Sequence, residues 1–137
     1  MVFPQAPIPG FAEFAKSAGP GGSVSSGSGN LVPVVRLDDY FTGDLMPSVI
    51  KIDTEGYEMN VLRGCTNILK NKVKLIIEVH QKMREFGDNP FEFYDLLVQH
   101  GYTVRSVSHR REGADLTELS RDDVAALNNY MVFCDPS

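Results

Sequence analysis

Two short apolar runs set the pattern of the chain. Val49–Ile52 reads V-I-K-I, and Lys74–Val79 reads K-L-I-I-E-V. Apolar runs of this length, bounded by polar residues and glycine, predict buried strands, with Lys51 the one interruption in the first. Between them, Gly56 to Asn71 brings Tyr57, Val61 and Leu62 round at helical spacing. The three pieces predict a strand–helix–strand unit, whose right-handed crossover makes the strands parallel. Parallel strands put both carboxyl ends on one rim, the side on which open α/β sheets bind ligands. Asp53 and Glu55 follow the first strand; Glu78 and His80 close the second. With neighbouring strands about 4.8 Å apart, the four are expected to converge. Glu78 and His80, two apart on a strand, are expected to share a face. Buried strands seldom carry so many charges without a use for them, so this cluster is the candidate functional centre. Glu58 is read only as a helix-start acid that opposes the helix dipole.

The flanking chain is less regular. Residues 1–30 hold four of the prolines and the near low-complexity S-A-G-P-G-G-S-V-S-S-G-S-G-N. They predict a flexible segment, with Phe11, Phe14 and Ala15 in one short amphipathic turn, followed by a domain over residues 31–137. No apolar strand precedes these glycines and no helix follows, so they make no phosphate loop. Val32–Arg36 is a strand candidate that Pro33 restricts to a sheet edge. Asp38 or Asp39 then caps a brief helical turn ended by Gly43. Gln81–Asn89 reads as a polar loop placed to cover the rim. Asn89, Pro90 and Glu92 predict a helix start, and Gly101 a stop after His100, a C-terminal dipole partner. Tyr102–Val107 and Tyr130–Cys134 read as strands. Between them Ser120–Asp123 caps a short helix through Val124–Leu127.

Charge and composition narrow the function. The net charge is −5, with 13 basic residues dispersed among 18 acids, which excludes a nucleic-acid groove. His109-Arg110-Arg111 is the one basic knot and reads as a solvated loop. Cys65 and Cys134 lack metal or redox spacing and predict buried free thiols in a reducing compartment. No run reaches membrane-spanning length and no secretory signal pattern opens the chain, so the expected location is cytoplasmic, without membrane partners.

The stretch V-I-K-I-D-T-E-G-Y-E-M-N-V-L-R-G, followed by L-I-I-E-V-H, resembles the FkbM-type methyltransferases. So do the preceding V-P-V-V-R-L-D-D-Y-F and the later helix with Gly101-Tyr102, and the resemblance runs from Val32 to Cys134. It implies a partial Rossmann-like α/β methyltransferase fold, with central parallel strands and a C-terminal antiparallel strand pair. It also implies S-adenosylmethionine as cofactor and O-methylation of a small-molecule or glycan hydroxyl. Asp38 and Asp53 then lie on the cofactor side, and Glu55 and Glu78 on the acceptor side. Asp53 and Glu55 position the reactants. His80 is the candidate base, since an imidazole suits deprotonation of an alcohol better than a carboxylate does. The alternative for His80 is a structural strand-end histidine bonded to Glu78.

The family's first strand with its Gly-rich loop, and the acid after its second strand, have no counterpart in these 137 residues. The expectation is therefore that the isolated monomer binds cofactor too weakly to measure at micromolar concentrations and transfers no methyl. Two further readings stand beside the enzyme. One is a divalent-metal hydrolase built on Asp53, Glu55, Glu78 and His80, although the motif's flanks favour methyl transfer and no metal. The other is a non-catalytic remnant or half of a split enzyme, associating with itself or with a missing N-terminal half through an apolar Val49–Asp53 edge.

Overall fold

The computed structural model describes residues 10–16, 22–25, 30–107, 115–126 and 128–137. The two apolar runs form β4 (Val49–Ile52) and β5 (Lys74–Val79), paired in parallel with Ile50 beside Leu75 and Ile52 beside Ile77. β6 (Tyr102–Val107), β7 (Thr117–Glu118) and β8 (Tyr130–Pro136) complete a sheet in the order β4-β5-β8-β6-β7. β8 lies between β5 and β6 and is antiparallel to both. Among the described residues β4 and β7 are the two end strands of this sheet.

Alternation along the strands places the core on one face. Ile52, Leu75, Ile77, Val79, Val104 and Val132 are buried there with Cys134. Against them pack Met59 and Leu62 of α2 (Glu58–Arg63), Ile68 and Leu69 of α3 (Thr66–Lys70), and Phe93 and Leu97 of α4 (Pro90–Gln99). The opposite face, with Ile76, Glu78, Met131 and Phe133, is only half-buried. β4 is therefore not buried on both faces: Val49 is 52% exposed, and Lys51 is also exposed. Both cysteines are buried free thiols, and desolvation pushes each up to about 12, so neither is a nucleophile at neutral pH.

Several elements depart from the sequence pattern. Gly10–Lys16 is a strand, β1, and not a turn at Phe11–Ala15. With β2 (Gly22–Ser25) and β3 (Asn30–Val34) it forms a second antiparallel sheet, ordered β2-β1-β3. Pro33 does lie on an end strand of that sheet, β3, as its missing N–H leads one to expect. The crossover helix is broken into α2 and α3 at Gly64-Cys65. Gln81–Phe86 is a 3-10 helix with Met83 buried, ended by Gly87 in the left-handed conformation, and not a polar loop. α5 spans Arg121–Val124 behind the expected Ser120 cap, and α4 starts on Asn89 as its pattern predicts. His109-Arg110-Arg111 and Leu127 lie outside the described residues.

Asp38 caps a helix, but not its own. It sits inside α1 (Leu37–Tyr40), where Arg36 is the N-cap residue and makes no side-chain cap bond. Its buried carboxylate accepts the N–H groups of Asn67 at 2.9 and 3.0 Å and of Ile68 at 3.2 Å. These are orphan donors in the first turn of α3, so Asp38 ties the β3–α1 segment to the crossover. Asp38→Ala strips both donors of a charged acceptor inside the protein. The expected loss is about 2–3 kcal/mol, read as a lower urea midpoint with unchanged slope.

Candidate active-site rim

The rim begins where β4 stops at Ile52. Asp53 and Thr54 leave the sheet, and Glu55 and Gly56 reverse the chain at φ 54° and 108°. A left-handed glutamate is uncommon, and residues held in such conformations cluster at functional sites. What holds this one is Glu58. Its Oε1 accepts the Gly56 N–H at 2.8 Å and the Thr54 hydroxyl at 3.2 Å, closing the turn from inside. Glu58 is fully buried, not the solvated helix-start acid its sequence position predicts. Among the described residues its Oε2 has no hydrogen-bond partner.

Burial raises the Glu58 carboxyl above the ordinary carboxylate range, against the opposing hydrogen bonds from Gly56 and Thr54. The folded chain thus keeps a proton that the unfolded chain has already released. Its contribution to stability is full below the unfolded value, declines as pH rises toward the raised folded value, and is level above it. Glu58→Gln keeps the Oε1 acceptor but does not titrate. Relative to wild type, the variant should gain stability as pH rises through that window. Urea unfolding at a series of pH values tests this, and a constant gap between the two proteins would sink it.

Outside the turn, Glu55 Oε2 lies 3.4 Å from His80 Nε2 and 3.6 Å from Lys82 Nζ. His80 follows β5 and caps the 3-10 helix, its Nδ1 accepting the Lys82 N–H at 3.2 Å. An Nδ1 that accepts leaves the proton of the neutral ring on Nε2, toward Glu55. Nε2 is also 3.2 Å from Asn129 Nδ2, while Asn129 Oδ1 accepts the Gln81 N–H at 3.0 Å. Gly56 packs so closely on Lys82 that a Cβ there would lie 2.7 Å from Lys82 Cβ. Tyr57 and Phe86 meet edge-to-face at 5.5 Å, clamping the 3-10 helix to the turn.

The four expected residues therefore gather as two groups. Glu55 and His80 meet, joined by Lys82. Asp53 is instead bound to Lys51, whose Nζ donates to Oδ2 at 2.7 Å. That hydrogen bond, with the charges of Asp53 and then Glu78, raises the Lys51 amine above its usual value. Glu78 thus acts on the Lys51–Asp53 pair from the half-buried face of β5. Among the described residues, no three His, Cys, Asp or Glu side chains gather closely enough to hold a metal ion.

Beside this rim runs a cavity of about 440 Å³, walled by Val34–Leu37, the stretch from Ile50 to Thr54, and α2 with Tyr57, Asn60 and Val61. Arg36 and Leu37 line it, whereas the Asp38 carboxylate turns away to α3. Sequence reasoning missed Thr54, Lys82 and Asn129. Thr54 and Glu58 stand four apart, a spacing that allows side-chain contact, but Asn129 reaches His80 across 49 positions with no local signal. Among the described residues no helix is long and apolar enough to cross a membrane.

No solved structure is significantly similar to the chain. The hexuronic acid methyltransferase AglP of Haloferax volcanii is 32% identical over 77 residues, covering 56% of this chain and 26% of that protein. The chain thus spans about a quarter of the length of this curated relative. The model of the methyltransferase FkbM domain matches residues 5–104, most of the chain and including the β1–β3 sheet. The chain belongs to the FkbM methyltransferase family.

Proposed function

We propose that the chain supplies the acceptor-side rim of an S-adenosylmethionine-dependent O-methyltransferase acting on a sugar hydroxyl. The carrying observation is the strained Asp53–Gly56 turn, which presents two partly exposed carboxylates on a rigid support. When bound, S-adenosylmethionine supplies an electrophilic methyl group on a sulfonium. The chemistry of the rim fits the cationic end of that cofactor, since Asp53 and Glu55 are anionic and open to solvent.

Asp53, steadied by Lys51, would hold the ammonium group of the cofactor or a hydroxyl of the acceptor. Glu55 would accept the proton of the reacting hydroxyl, with reactants held in line, taking the base role expected from the sequence for His80, whose Nδ1 already accepts the Lys82 N–H. His80 enters as a positioning residue: its Nδ1 is taken by the Lys82 N–H, and its Nε2–H steadies Glu55. Lys82, beside Glu55, suits a negatively charged sugar, and the AglP likeness favours a uronic acid among acceptors. The deciding assay follows labelled methyl from millimolar S-adenosylmethionine into uronic acid and neutral sugar acceptors. Label in a sugar supports the reading; no transfer to any hydroxyl acceptor overturns it.

A further inference from the structure

We infer that the buried Glu58 carboxyl and the Tyr130 hydroxyl share one hydrogen bond, which anchors the Asp53–Gly56 turn to β8. Glu58 holds the turn with Oε1. Its Oε2 and the Tyr130 hydroxyl are both shut off from water, and among the described residues neither has a partner. Two such oxygens are costly apart, and one proton between them satisfies both. The two residues lie on the helix-covered face of the sheet. Glu58 starts α2, and Tyr130 stands opposite Val79 in the β5–β8 ladder and is buried with it. Met83 of the 3-10 helix connects the two places. A Cβ on Gly56 would lie 3.1 Å from the Met83 backbone nitrogen, and Met83 borders, with Val79 and Tyr130, a void of about 10 Å³. The void has the room of one water, so the bond forms directly or through that water.

Burial raises the Tyr130 phenol above its usual range, Arg84 opposes the rise, and the charge of Glu58 adds to it, as a close neighbour does. Either protonation state of Glu58 can use the bond. When protonated, Oε2–H donates to the phenolic oxygen; when ionised, Oε2 accepts the phenolic proton. The second bond is charge-assisted and the stronger. Tyr130 therefore favours the ionised carboxyl and limits the rise that burial imposes on it. The neighbouring Asn129 ties the start of β8 to His80 and Gln81. Tyr130 adds a second tie from that strand to the rim, as a positioning residue for the turn, and this role does not rest on the identity of the methyl acceptor.

Urea unfolding of the whole chain at a series of pH values tests the couple, with Tyr130→Phe made alone and together with Glu58→Gln. Tyr130→Phe removes one oxygen and keeps the ring, so the packing is conserved. It should raise the unfolding equilibrium constant about threefold or more while Glu58 is protonated, and about tenfold or more once Glu58 is ionised. Without the phenol the folded carboxyl is raised further, so the gap to wild type should widen as pH rises through the Glu58 window. Beside Glu58→Gln the effect of Tyr130→Phe should be the same at every pH, because the amide donates to the phenolic oxygen and does not titrate. Arg84 and Cys134 also act on the phenol, and His80 borders the void. The guanidinium stays charged and the thiol, pushed up to about 12, stays neutral across this range. A pH dependence that survives Glu58→Gln thus belongs to His80 and overturns the proposal. So does a gap that is constant with pH when Glu58 is present, or a Tyr130→Phe variant at least as stable as wild type.

Discussion

In a complete, active methyltransferase that contains this chain, Asp53→Asn and Glu55→Gln are each expected to lower methyl-transfer turnover by about tenfold to a thousandfold, the range for a positioned polar group at a reacting centre. Both side chains are more than a third exposed, so neither change opens a cavity or strands a buried charge. Folding stability should move by no more than about 0.5 kcal/mol. The two should differ in kind. Asp53→Asn, if it loosens a bound cation, should raise the cofactor KM. Glu55→Gln removes the proton acceptor and should act on kcat, with Gln keeping the left-handed backbone and a contact to His80. His80→Asn should then lower kcat less than Glu55→Gln does. Full turnover in both carboxylate variants at saturating cofactor would remove Asp53 and Glu55 from the reaction.

Gly56→Ala should be the most damaging single methyl in the chain. The residue stands at φ 108°, where a side chain is strained whatever the space around it. The space is also absent: the new Cβ would meet Lys82 Cβ at 2.7 Å and the Lys82 carbonyl carbon at 2.9 Å. The latter is backbone of the 3-10 helix and cannot swing aside. Strain and overpacking together should destabilise by about 2–4 kcal/mol, a fall in Tm on the order of 10 °C. Relief would push the 3-10 helix from the turn and separate His80 from Glu55, so activity should fall even below the melting range. Calorimetric melting reads the first effect. A Tm within a degree or so of wild type would show that the turn and the 3-10 helix are not in the contact described.

What the sequence determined by itself is what depends on neighbours. The β4 and β5 runs, the Asn89-Pro90 start of α4, the Ser120 cap and the strands β6 and β8, though not β7, were legible because short-range pattern and capping chemistry specify them. β2 escaped notice because a glycine- and serine-rich segment carries no apolar alternation, and β1 because Phe11 and Phe14 stand three apart, a spacing that reads as a helical turn. Site chemistry divided in the same way. Asp53, Glu55, Glu78 and His80 were legible as strand-end groups. Tertiary structure decided which of them meet: Glu55 with His80 and Lys82, and Asp53 with Lys51. It also turned Asp38 into the cap of a helix 29 residues away and drew Glu58 inside to hold the Thr54–Gly56 turn. The physical reason is that an acid near a helix start satisfies the same N–H chemistry wherever those donors lie. Sequence shows that the acid has such a use; only packing, by fixing which orphan donors come within 3 Å and which water still reaches, decides whose donors it serves.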